Sequence, residues 1–126
     1  VDKDVREAAV MAASELAENS VKYGEPIQSE DCAYISYSVR PTAIVIRTMN
    51  GVTTPKRVEQ VASCIDAINA SDDPGALYAQ RLTEMLASPS DDSRLGLLRI
   101  AYEGSFRLAY SYEPPVLTVT ATRVLK

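Results

Sequence analysis

The pattern that most constrains this chain occurs twice, far apart: two short segments of alternating apolar and polar residues, joined by a proline-containing link. In residues 33–48, Tyr34-Ile35-Ser36-Tyr37-Ser38-Val39 and Ala43-Ile44-Val45-Ile46-Arg47 flank Arg40-Pro41. In residues 106–124, Phe106 to Tyr112 and Val116 to Val124 flank Glu113-Pro114-Pro115. Successive side chains of a strand point to opposite faces, so Leu117, Val119, Ala121 and Arg123 share one face, and Val116, Thr118, Thr120, Thr122 and Val124 share the other. The β-branched and tyrosine content suits a half-buried sheet. Two antiparallel hairpins are predicted, joined in one sheet.

The stretches before and between these hairpins carry the helical period. Asp4 to Tyr23 sets Val5, Ala9, Ala12, Leu16 and Tyr23 along one side, and Gly24 followed by Pro26 supplies a stop. Asn50-Gly51 reads as a turn ending the second strand. Pro55 suits the first turn of a helix through Val58, Val61, Ala62, Ile65 and Ile68, which closes at Asn69 before the breaker run Ser71-Asp72-Asp73-Pro74-Gly75. A helix from Ala76 to Ala87 follows, then a polar loop at residues 88–93 and a further helix from Arg94 to Glu103, ending near Gly104. The acidic pairs Asp72-Asp73 and Asp91-Asp92 read as loop or capping residues. This order of elements predicts a two-layer α/β sandwich: an antiparallel or mixed sheet of four to five strands with helices on one face.

With 126 residues and 46% hydrophobic content, a single domain over residues 1–126 has enough core to fold. No apolar run approaches the ~20 residues of a membrane span, and Val1-Asp2-Lys3-Asp4 lacks a signal-peptide layout, so a cytoplasmic protein with no membrane partner is expected. The opening is compatible with a trimmed chain or with one lacking an N-terminal element. A net charge of −4 argues against a nucleic-acid partner, which needs a clustered basic face. Cys32 and Cys64 lie in unlike segments and the chain contains no histidine, so neither a Cys/His zinc cluster nor a Cys-His nucleophile can be built, and both cysteines read as small buried hydrophobes.

One polar stripe stands out. Glu15, Asn19 and Lys22 recur at i, i+4 and i+7 just before Gly24, which places them together on one side of the first helix. A carboxylate there can act as a general base, a carboxamide oxygen can ligate a hard cation such as Mg²⁺, and an ammonium can neutralise phosphate. The same spacing also describes a solvated stripe beside a core.

Glu15-Leu16-x-x-Asn19-x-x-Lys22-Tyr23-Gly24 resembles the N-box of the histidine-kinase-like ATPase superfamily, whose sandwich has this element order. Leu95-Gly96-Leu97-Leu98-Arg99-Ile100 is similar to its second glycine box. The small size and the Glu-x-x-x-Asn form most resemble bacterial anti-sigma Ser/Thr kinases and related partner-switching kinases. The resemblance implies ATP and Mg²⁺ as cofactors, Glu15 as the catalytic base, Asn19 as the metal ligand and Lys22 as a phosphate contact. It also implies that Gly96 opens a helix whose N-terminus holds phosphate. Where the family has an adenine-binding Asp-x-Gly-x-Gly, this chain reads Thr48-Met49-Asn50-Gly51-Val52-Thr53. Either Met49 occupies the Asp position or Asn50 substitutes for it, with Gly51 retained. Arg94 stands in place of the first glycine of the second box, where it would block or contact phosphate. The expected partner is a small regulatory protein, antagonist or sigma-factor-like, with homodimer formation also expected. Two functions follow: a signalling regulator acting as a Ser/Thr protein kinase on that partner, or a degenerate, non-catalytic interaction module.

Overall fold

The structure is a computed structural model that describes residues 2–23, 34–87 and 94–125, with backbone alone at 21–23 and 94. Its elements run α1 (Lys3–Tyr23), β1 (Tyr34–Val39), β2 (Ala43–Gly51), α2 (Pro55–Ala70), α3 (Pro74–Ala87), α4 (Arg94–Tyr102), β3 (Arg107–Glu113) and β4 (Val116–Val124). The two hairpins meet through their second strands, giving one four-stranded sheet of order β1-β2-β4-β3, antiparallel throughout. The expected α/β sandwich with helices on one face is the fold observed, and its sheet is antiparallel rather than mixed.

Register explains which face is covered. Ile44, Ile46 and Thr48 of β2 stand opposite Arg123, Ala121 and Val119 of β4, and Ala121 stands opposite Leu108 of β3. Apart from Arg123 this row is buried, whereas Arg47 and Met49 on the reverse face are exposed. α1 packs on β2 and α4, α2 packs on β3 and α4, and α3 packs against α4. The core closes around Leu16, Ile44, Ile46, Ile65, Leu97 and Ile100, with Cys64 buried beside it. Apolar burial at about 25 cal/mol per Å² is the main force holding the layers together. Among the described residues no helix is long and apolar enough to cross a membrane.

Two local expectations need correction, and three others fall outside the described residues. Asn50-Gly51 is not a turn: both residues continue β2, paired with Leu117 and Val116 of β4. A neighbouring strand that offers ladder partners on one side overrides the local turn preference. Pro74-Gly75 does not precede α3 but forms its first turn. Proline is tolerated there because that N–H has no helical partner, and the Asp73 carboxylate accepts the Ala76 N–H at 3.1 Å as an N-cap. The stop at Gly24, Cys32 and the loop at 88–93 lie outside the described residues. Pro55 opens α2 as expected, and α4 ends before Gly104. There a Cβ would come within 2.7 Å of the Ile100 carbonyl, and Ser105 follows with φ of 55°.

Candidate functional site

α1 carries two kinds of residue on adjoining faces. Leu16 and Ser20 are buried against the sheet, while Glu15 and Asn19, one residue before each, face the seam where α1 meets α4. That seam is tight because Gly96, the third residue of α4, has no side chain. A Cβ at Gly96 would lie 2.6 Å from Glu15 Oε2 and 3.9 Å from Asn19 Nδ2. Any larger residue would have to displace the Glu15 carboxylate. The glycine therefore has a steric reason to be there, and it joins the N-box-like stripe to the glycine-box-like segment in space.

The Glu15 carboxylate is held from its other side. Arg99, one turn beyond Gly96, donates from Nη1 to Glu15 Oε1 at 3.0 Å, and its Nε donates to Glu103 Oε2. Its hydrogen bonds to Glu103 and then to Glu15 raise the pKa of the guanidinium above its already high ordinary value, so Arg99 stays a cation. Glu15 Oε1 is thus anchored, and Oε2 is turned toward Gly96.

On the sheet side, Asn19 shares a cleft with Asn50. Ser20, Thr48, Val52, Leu97, Leu117 and Val119 complete its walls, with Arg57 and Val61 of α2 opposite. The Ser20 hydroxyl donates to Asn50 Oδ1 at 3.3 Å, fixing that carboxamide at the cleft wall. The cleft offers about 40 Å³ to the centres of water molecules, room for about three of them. Its character is an apolar slot with a carboxamide on each of two sides.

Glu15, Asn19, Asn50 and Gly96 therefore form one connected region, with Asn19 as the link between the Glu15 seam and the Asn50 cleft. Gly51 lies beyond it, buried in the ladder opposite Val116. Of the two candidates for the Asp position, Asn50 lines the cleft, whereas Met49 is on the exposed reverse face. Lys22 and Arg94 sit on α1 and α4, but their side chains lie outside the described ones. Sequence reasoning missed Arg99 and Ser20. Arg99 carries a readable trace, Glu103 four residues on and Gly96 three before it on one helix face, whereas its partner on another helix does not show in the sequence. Ser20 was hidden as a polar residue on the buried side of α1.

The donor set fits the cofactors in part. Among the described residues no three His, Cys, Asp or Glu groups gather as a metal site, so Mg²⁺ would take Asn19 from the protein and its other oxygens from phosphate and water. The slot is apolar, but room for about three waters is less than a planar base needs, and Asn50 in place of a carboxylate presents a neutral acceptor. Comparison of the chain with protein-family models, with curated proteins and with solved structures found no significant match.

Proposed function

We propose that this chain is a signalling regulator built on a histidine-kinase-like fold, which binds a nucleotide between α1, α4 and the sheet and acts on a small regulatory protein. The observation that carries this reading is the convergence of Glu15, Asn19, Gly96 and Asn50, residues drawn from three separate elements. Asn19 would hold the Mg²⁺ of a bound nucleotide, and the slot beyond it, with room for about three waters, would have to widen to take the base. Bound Mg²⁺ neutralises charge on the phosphates. For transfer to a Ser or Thr hydroxyl of the partner, the hydroxyl oxygen would bond to the γ-phosphorus as the bond to the bridging oxygen breaks and the nucleoside diphosphate leaves, while Glu15 Oε2 would accept the hydroxyl proton and Arg99 keeps Oε1 in place.

A specific observation favours a second reading, the non-catalytic interaction module. Asn50 cannot supply the charge of the family's adenine-binding carboxylate, and its Oδ1 already accepts from Ser20. Loss of a charged hydrogen bond of this kind removes on the order of 1.5–3 kcal/mol, or about 10- to 150-fold in affinity. Binding under the first reading is therefore weak, Mg²⁺-dependent and poorly selective for the base. Calorimetric titration of ATP, ADP and GTP, with and without Mg²⁺ and repeated on Asn19→Ala, tests this. Weak Mg²⁺-dependent binding abolished by Asn19→Ala is the expected result. No heat at millimolar nucleotide would retire Glu15 as a base in favour of the interaction module, and strong adenine selectivity would show that another group replaces the carboxylate.

A further inference from the structure

Thr48 is a buried polar side chain that its own strand cannot satisfy. It is 2% exposed and lies on the core face of β2, between Ile46 and Asn50. Its partners across the two ladders are Ile35 of β1 and Val119 of β4, neither of which has a polar side-chain atom. In a helix a threonine hydroxyl can bond back to a carbonyl of the preceding turn, but an extended strand offers none within reach. Among the described residues no hydrogen bond reaches the Thr48 hydroxyl. A hydroxyl taken out of water without a partner is costly, so buried polar groups are paired either with protein or with ordered water.

Thr48 lines the cleft that Asn19, Ser20 and Asn50 also line, and these groups have bonding capacity left. Ser20 donates to Asn50 Oδ1, which leaves the Ser20 oxygen as an acceptor and the Asn50 amino group as a donor. Thr48 and Asn50 alternate onto the same strand face, so their backbones are about 7 Å apart, a span that one or two waters bridge. A held water needs about two to four polar partners, and the cleft has room for about three such molecules. A cavity that stays dry is lined by apolar groups alone. This one has an apolar wall of Leu16, Val61, Leu97 and Leu117, but two hydroxyls and two carboxamides share the lining.

We propose that this cleft is a binding site for ordered water, in which Thr48, Asn50, Ser20 and Asn19 hold a cluster of about three molecules. A ligand group that displaces the cluster is then a neutral carbonyl, amide or hydroxyl rather than an aliphatic one. Thr48 sets this preference, because its hydroxyl both donates and accepts, and an apolar group placed against it leaves it unpaired. The water site is independent of nucleotide binding, so the outcome of a nucleotide titration leaves it unchanged.

Nuclear magnetic resonance of the full chain should give cross-peaks from water to the Asn50 side-chain amide protons and to the Thr48 methyl group. The Asn50 cross-peaks should persist in Thr48→Ser, which keeps the hydroxyl, and be lost in Thr48→Val. Xenon, which enters dry apolar cavities, should leave the Leu97 and Val119 methyl shifts of the wild-type chain unmoved. Acetamide should move those shifts and weaken the water cross-peaks. The urea midpoint of Thr48→Val should fall below that of the wild type, because the water loses a partner. Xenon seated in the wild-type cleft, missing water cross-peaks or a raised midpoint for Thr48→Val would each mark a dry cleft with an unpaired hydroxyl and overturn the site. Asn50 cross-peaks that survive in Thr48→Val overturn the role of Thr48, and acetamide that leaves the methyl shifts unmoved overturns the ligand class. Should Thr48→Val fail to fold, the wild-type water and xenon measurements decide the site alone.

Discussion

Arg99 shows how one residue can set the meaning of another. Its side chain is 45% exposed while that of Glu15 is 19% exposed, so the ion pair is screened by water and contributes only about 0.2–1 kcal/mol to stability. Its larger effect is to fix which oxygen of Glu15 faces Gly96. A double-mutant cycle of Arg99→Ala and Glu15→Gln, measured by urea unfolding, should give a coupling below about 1 kcal/mol that shrinks with added salt. A coupling well above that would mean the pair is less hydrated than its exposure implies. Tyr110 offers a second test at this scale. Its hydroxyl donates to both Asp66 oxygens, at 3.3 and 3.1 Å, and this bond raises the phenol above its ordinary pKa. The folded chain therefore holds that proton more tightly than the unfolded one, and the contribution to stability is present below about pH 10 and lost as pH rises through the folded value. Ultraviolet titration should show one tyrosine ionising late, and Asp66→Asn should return it toward the others.

At the scale of elements, the helices and strands obeyed local rules except where a neighbour outbid them. α3 begins two residues before the expected Ala76 because Asp73 caps it and Pro74 needs no N–H partner. Asp73→Ala should cost about 0.5–2 kcal/mol in chemical denaturation and fray the first turn of α3, whereas Asp72→Ala should change little. β2 runs on through Asn50-Gly51 because β4 supplies partners as far as Val116. That extension has a consequence for the site: it carries Asn50 forward on the same face as Thr48, into the cleft, and leaves Met49 outside on the reverse face. A turn at this point would have left the choice between Met49 and Asn50 open.

For the whole molecule, the two hairpins are one sheet only through the β2–β4 ladder, which makes β4 the strand on which cooperativity depends. Thr120 lies mid-strand, between Arg47 and Ala109. Thr120→Pro should remove a central ladder bond, cost on the order of 3 kcal/mol or more, and broaden thermal unfolding into a less cooperative transition. A single sharp transition at nearly the wild-type temperature would show that the helices, rather than this ladder, hold the hairpins together. The sequence by itself determined the two hairpins, the helical stretches, the buried row Leu117, Val119 and Ala121, and the neighbouring positions of Glu15 and Asn19. Each of these follows from periodicity within a single element. Only tertiary structure decided the joining of β2 to β4, the closeness of Gly96 to Glu15, the Arg99 anchor and the place of β1 at the edge of the sheet. These depend on which elements meet across long separations along the chain, and local propensity carries no information about that.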